Sequence, residues 1–139
     1  MTVIHATLLT AIVTVLALLM YYWTGFKVGQ MRGKHGIKAP AASGHPEFDR
    51  AFRVQMNTLE QMIVFLPLLW LSNAYFMLMP YLTGALGLVW IVGRVVYATG
   101  YMADPDKRSM GFLISFVAIV GLFLTSIYGI VNAWIALSA

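Results

Sequence analysis

Every charged side chain of this protein lies in the middle part of the sequence. The nine Lys and Arg residues and the five Asp and Glu residues all fall between Lys27 and Arg108. The charge-free runs before and after this part are each longer than the roughly 20 apolar residues that a bilayer-spanning helix needs. A third charge-free run, residues 61–93, is interrupted by Ser72 and Asn73. These runs predict transmembrane segments.

We interpret the runs as an all-α integral membrane fold, a bundle of four transmembrane helices in a single domain covering residues 1–139. Only 10% of the residues are charged, against roughly 25% in soluble domains. The alternating pattern of a membrane β-strand is missing from the sequence, and a lipid-exposed helix satisfies its own backbone. The expected spans are residues 4–26, 48–73, 75–102 and 109–137.

The loops between these spans differ in charge, which predicts the topology of a multi-pass protein. Loop 27–47 carries Lys27, Arg32, Lys34 and Lys38, loop 103–108 also carries two cations, and the hairpin between spans two and three carries none. The positive-inside rule therefore predicts that both basic loops are cytoplasmic. Residues 33–45 of the first loop are expected to form a flexible linker.

Two stripes of polar side chains are predicted on spans two and three. On span two, Arg53, Asn57 and Glu60 fall within about 60° of one another at 3.6 residues per turn, while Gln55 lies well round the helix. On span three, a second stripe contains a cation and two phenols, and reaches a further cation if the helix runs that far. Its members are Arg94, Tyr97, Tyr101 and Arg108.

Each of these residues also has a purely structural interpretation. Arg53 and Glu60 would form an internal ion pair that fixes helix packing, the arginines would reach the membrane surface, and the tyrosines would form an aromatic belt. Taken together, however, the arginines and the single carboxylate suit a small ligand with two carboxylates and an ammonium group. Guanidinium groups bind carboxylates bidentately.

The chemistry of sulfur and metals is constrained by the absence of cysteine. Any reacting thiol must arrive with a substrate. His5, His35 and His45 show no spacing typical of metal ligands, so no metal is expected. The net charge of +4 is explained by the basic loops and the arginines of the stripes, and no nucleic-acid partner is expected.

Two motifs resemble the MAPEG family, the membrane-associated proteins in eicosanoid and glutathione metabolism. They are PEFDRAFRVQMNTLEQ at residues 46–61 and RVVYATGY at residues 94–101, followed by Arg108. The resemblance implies a homotrimer of four-helix subunits that binds glutathione between neighbouring subunits, near the cytoplasmic face. It implies glutathione-binding roles for Arg32, Arg53, Gln55, Asn57, Glu60, Arg94, Tyr97 and Tyr101.

The resemblance also implies a catalytic role for Arg108, which matches the arginine thought to stabilise the glutathione thiolate. The neighbouring Lys107 is the alternative for that role. Gln61 stands where the leukotriene-synthase branch has tyrosine, and Gly33 where that branch has a second arginine. These differences favour a general enzyme similar to the microsomal glutathione transferases, in a bacterial inner membrane rather than the endoplasmic reticulum.

The function expected from this resemblance is a glutathione transferase of detoxification, with glutathione peroxidase activity as a further possibility. Glutathione would be the co-substrate, and a hydrophobic electrophile would enter from membrane lipid. One alternative is a non-catalytic member that binds lipid or glutathione. Another is a small four-span transporter, which is disfavoured because the only carboxylate predicted deep within a span, Glu60, has Arg53 seven residues before it and Arg94 on the next helix to keep it ionised.

Overall fold

The structure, a computed structural model that describes residues 1–138, is built from helices over that range. The helices are α1 (Thr2–His35), α2 (Pro46–Tyr75), α3 (Pro80–Ala103) and α4 (Ser109–Ser138), with a 3-10 turn at Pro105–Arg108. The all-helical prediction is confirmed. Three segments qualify as membrane spans by length and composition: Thr2–His35, Pro80–Ala103 and Pro105–Ser138. The predicted second span, residues 48–73, is not among them, because polar residues, including Glu60 and Asn73, flank the apolar part of α2.

The first helix is longer than its predicted span. α1 continues past Phe26 to His35, so the expected linker from Gly33 begins three residues too early. The helix ends at Gly36, whose left-handed backbone, with φ at 66°, suits a residue without a Cβ atom. No proline lies between Phe26 and Gly36, and the helix accommodates Gly29 and Gly33, so it continues beyond the apolar run.

The turn between α2 and α3 lies later than the sequence indicated. α2 includes Asn73 and Tyr75, and the turn occupies residues 76–79. Asn73 remains within α2, and its side-chain oxygen Oδ1 accepts a hydrogen bond of 3.0 Å from Thr10 Oγ1 of α1. Pro80 then occupies the first turn of α3, where its missing N–H is not needed.

The four helices meet in one apolar core. Phe65 of α2 and Trp90 of α3 stack with their ring centroids 3.8 Å apart. Val13 of α1 and Leu122 of α4 are also fully buried in this cluster. Many large apolar side chains, such as Ile63, instead lie exposed on the outside. Exposed apolar side chains around a helical bundle are the surface that lipid tails cover.

Small residues allow α3 and α4 to cross closely. A Cβ atom added to Gly111 of α4 would overlap the backbone of Tyr97, and one added to Gly93 of α3 would lie 2.6 Å from the Ser115 backbone nitrogen. Membrane helices use small residues in this way to bring backbones together. The crossing fixes the position of Tyr97, which lies in one of the two polar stripes.

Candidate functional site

Arg94 lies at the centre of the polar residues and is fully buried. Its Nη2 donates hydrogen bonds to Asn57 Oδ1, at 3.1 Å, and to Thr58 Oγ1, at 2.8 Å. Its Nε and Nη1 have no hydrogen-bond partner within residues 1–138. A buried guanidinium is costly unless its donors are satisfied, so the two bonds to Asn57 and Thr58 offset only part of the cost of burying Arg94.

A chain of polar contacts continues from Arg94 to the exposed side of α2. Asn57 Nδ2 donates to Glu60 Oε2 at 3.3 Å, and Glu60 Oε1 lies 3.8 Å from Arg53 Nη1. The Arg53 and Glu60 side chains are 59% and 52% exposed. An ion pair this long and exposed contributes little to stability. Both charged groups are therefore accessible to a ligand, whereas the expected contact of Glu60 with Arg94 does not form.

Two tyrosines and Arg108 extend the site along α3. The Arg94 guanidinium lies 4.1 Å from the centroid of the Tyr97 ring, and Tyr97 stacks on Tyr101 at 5.6 Å. α3 ends at Ala103, so it does not run far enough to include Arg108 in the stripe. The 3-10 turn folds Arg108 back, with its guanidinium carbon 5.5 Å from the centroid of the Tyr101 ring.

These side chains border an open cleft of about 540 Å³. Five of the nine predicted site residues line it: Arg53, Asn57, Tyr97, Tyr101 and Arg108. Ser109, Phe112 and Leu113 of α4 complete the lining. Sequence analysis missed these three because α4 carries no charge, and it missed Thr58 because a threonine inside an apolar span usually bonds its own helix. The cleft is thus cationic and phenolic on one side and apolar on the other.

Arg32 and Gln55, two other predicted residues, do not reach this cleft. Gln55 faces α1, where its Nε2 would lie 3.0 Å from a Cβ atom on Gly25, and it lines a separate apolar cleft beside Tyr21. Arg32 packs over Phe48, 4.7 Å from the ring centroid, and its buried Nη1 has no partner within residues 1–138. Arg32 and Gln55 therefore lie where α1 contacts α2, in separate surroundings, and both are outside the cleft that contains Arg53.

One cluster of possible metal ligands occurs in the described chain, although the sequence indicated none. Ligand atoms of His35, His45 and Glu47 lie within 4.8 Å of one another. These side chains already interact with one another and with Lys34. The two imidazole rings stack with their centroids 3.5 Å apart, and Glu47 accepts hydrogen bonds from Lys34 and His35. The hydrogen bonds from Lys34 and His35 lower the pKa of Glu47 to about 2. We interpret His35, His45, Glu47 and Lys34 as a clasp, a set of polar contacts that joins the end of α1 to the start of α2.

Comparison with known proteins gives matches over most of the chain. The model of the MAPEG family matches residues 10–128. An uncharacterised protein of Synechocystis sp. is 41% identical over 122 residues, covering 85% of this chain and 88% of that protein. Microsomal glutathione S-transferase 2 of Homo sapiens is 35% identical over 128 residues, covering 92% and 86%. Leukotriene C4 synthase of Cavia porcellus is 34% identical over 103 residues, covering 72% and 65%.

Proposed function

The chain belongs to the MAPEG family of integral membrane proteins, and from this premise we propose that it is a glutathione transferase acting on hydrophobic electrophiles. The observation that carries the proposal is the 540 Å³ cleft, which combines accessible cations and phenols with an apolar wall. The exposed carboxylate of Glu60 lies beside it, 3.8 Å from Arg53 Nη1. Two of the relatives are named as glutathione-conjugating or leukotriene-forming enzymes. The site's own chemistry is consistent with that activity.

The charges of the cleft complement those of glutathione, which carries two carboxylates and one ammonium group. Arg53 would bind a carboxylate through paired N–H donors, and Glu60 would bind the ammonium group. Their mutual separation of 3.8 Å means that little interaction is lost when each turns to the ligand. Arg94 would act indirectly, by holding Asn57, which lines the cleft, through the hydrogen bond to its Oδ1.

Arg108 would stabilise the thiolate form of glutathione. Conjugation requires the thiolate of glutathione, because the thiolate and not the thiol is the nucleophile. A guanidinium near the sulfur favours the anion and lowers the thiol pKa, while remaining protonated itself. The thiolate would then attack an electrophilic carbon, forming a C–S bond as the leaving group departs with its electron pair. With a lipid hydroperoxide, two glutathione molecules would instead give the alcohol, water and glutathione disulfide.

A second copy of the chain would complete the site. Arg32 and Gln55 carry implied glutathione-binding roles but lie outside the cleft that contains Arg53. In a cyclic assembly each subunit presents one surface to a neighbour and a different surface to the next. We therefore propose a homotrimer in which Arg32 and Gln55 of one subunit face Arg53 and Arg108 of another.

The proposed assembly implies a topology with four spans. α2 is as long as α4, the main part of the qualifying span Pro105–Ser138, since each helix contains 30 residues. Its polar residues would be shielded by the other helices and by the neighbouring subunit, which makes an otherwise costly span acceptable. Loops 27–47 and 103–108 would then face the cytoplasm, in a bacterial inner membrane.

A conjugation assay on the purified protein tests the proposal. With glutathione and an aryl halide, turnover above the uncatalysed rate is expected, together with saturable glutathione binding in calorimetry. Binding without turnover would identify a non-catalytic glutathione-binding member instead. If neither binding nor turnover is detected for the folded oligomer, the proposed function is wrong.

A further inference from the structure

A second cleft lies between α1, α2 and the end of α3, and the proposed reaction does not use it. Its volume is about 430 Å³, and it shares no lining residue with the cleft that contains Arg53. Four charged residues and four apolar residues line it: Lys27, Lys34, Glu47, Arg50, Met31, Ala51, Met102 and Ala103. This composition is amphipathic and predominantly basic.

The cations of this cleft are only partly neutralised by the protein. Lys34 pairs with Glu47, but Lys27 forms no ion pair within residues 1–138. The Nε of Arg50 donates to the Met102 carbonyl oxygen at 3.0 Å, and this bond leaves the two terminal guanidinium nitrogens for another acceptor. Three cations against one carboxylate, with two of the cations free, indicate a site for an anion.

The depth of the cleft indicates which anion. Lys27 is the first charge after the apolar run of α1, so it marks the level where the apolar layer meets the head groups. α1 continues to His35, about 12 Å further at 1.5 Å per residue. The half-buried Lys27 and Arg50 therefore lie at the membrane surface, and not at the tip of the loop.

We propose that this cleft binds the head group of an anionic phospholipid, with the phosphate between Lys27 and Arg50. Basic pockets between helices at the cytoplasmic surface suit such head groups. The apolar lining supplied by Met31, Ala51 and Met102 gives the glycerol and upper acyl chain a surface that a free phosphate would not use. The ion pair with Glu47 partly neutralises Lys34, so Lys34 contributes less to binding the head group.

Native mass spectrometry of the detergent-purified oligomer with added phosphatidylglycerol or phosphatidylcholine tests the proposal. The parent is expected to retain phosphatidylglycerol preferentially, and Lys27→Gln should reduce that retention about five-fold, the usual effect of one cation near a membrane surface. Lys38→Gln and Lys107→Gln are matched controls, because both lysines lie in the basic loops but outside the cleft. Glu47→Gln should increase retention, because it frees Lys34.

Two results would overturn the proposal. Equal losses in Lys27→Gln and Lys38→Gln would mean that the basic loops attract lipid diffusely, without a site. Displacement of the bound lipid by millimolar inorganic phosphate would mean that the cleft recognises free phosphate. Because conjugation is not measured, either result leaves the proposed glutathione reaction untouched.

Discussion

Arg94 is the charged side chain that the fold encloses most completely, and its contacts explain how a guanidinium is kept within the bundle. Two hydrogen bonds hold one of its nitrogens, to Asn57 and Thr58. Sequence periodicity placed the stripes of α2 and α3 together and led us to expect Arg94 beside Glu60, whereas its partner on that stripe is Asn57. Which residue Arg94 contacts depends on the rotation and depth of α2 relative to α3, which tertiary packing sets.

The residue-level prediction for this contact concerns Thr58. Thr58→Val keeps the shape of the side chain but removes the oxygen that accepts the 2.8 Å hydrogen bond from Arg94. Leaving a buried donor without its acceptor costs roughly 1 to 3 kcal/mol. Thermal unfolding in detergent should show this loss, together with weaker glutathione binding. Thr99→Val is the control, since Thr99 is exposed and bonds only its own helix. Equal unfolding temperatures for the two variants would contradict the account.

A second residue-level prediction concerns Arg108. In Arg108→Ala, the thiol pKa of bound glutathione should rise toward the free value of about 8.5, because the nearest positive charge is lost. Less thiolate is then present at neutral pH, so turnover should fall by about one to two orders of magnitude and recover as the pH is raised. Glutathione affinity should change only a few-fold.

Thiolate absorbance titrations of the parent, Arg108→Ala and Lys107→Ala check this assignment. Arg108 lines the cleft, whereas Lys107 does not. An unchanged thiol pKa in Arg108→Ala would refute the role of Arg108. A shift confined to Lys107→Ala would transfer the role to that neighbour.

At the scale of the elements, the close crossing of α3 and α4 positions the tyrosines of the cleft. A methyl group on Gly111 would overlap the backbone of Tyr97. Gly111→Ala should therefore separate the helices, lower stability by roughly 1 to 3 kcal/mol and reduce conjugation. Gly29→Ala is a matched control, because a Cβ atom there meets nothing within 4 Å. If Gly111→Ala unfolds at the same temperature as Gly29→Ala, the crossing does not constrain the site.

The clasp between α1 and α2 gives a pH-dependent prediction. Glu47 has a pKa of about 2 in the folded protein, below its ordinary value of 4.5, because Lys34 and His35 donate hydrogen bonds to it. A lowered pKa means that the carboxylate stabilises the folded state above about pH 4.5, and that this contribution disappears as the pH falls toward 2.

Unfolding temperatures measured across that pH window check the clasp. The parent should lose stability on acidification more steeply than Glu47→Gln, which has no carboxylate to protonate. Asp106→Asn is the control, since Asp106 lies in the other basic loop. Parallel pH profiles for the parent and Glu47→Gln would show that the clasp does not stabilise the fold.

The sequence predicted the number and order of the helices better than their ends. Long charge-free runs determine which segments are apolar helices, and all four predicted helices are found, although α2 does not qualify as a membrane span by composition. The end of α1 depends instead on the backbone conformation of Gly36, and the start of α3 on Pro80, neither of which has to coincide with a membrane boundary. The histidines of the clasp were missed because only the fold of residues 36–45 brings His35 and His45 together.

At the scale of the whole molecule, the separation of Arg32 and Gln55 from the cleft is the central structural feature. Arg53 and Arg108 line the cleft, whereas Arg32 and Gln55 lie at separate points of the contact between α1 and α2. If both pairs contribute to one glutathione site, that site belongs to two subunits. Variants that damage only one of the two pairs should then complement each other in a mixed oligomer.

Co-expression of two inactive variants tests this central claim most directly. Arg53→Ala/Arg108→Ala damages one pair and Arg32→Ala/Gln55→Ala the other, so each homo-oligomer should lack conjugation activity. With random mixing around a cyclic interface, about a quarter of the sites receive two intact surfaces, and conjugation should return to about that fraction of the parent rate. Activity no higher than the sum of the separate variants, in oligomers shown to be mixed, would contradict a site shared between subunits.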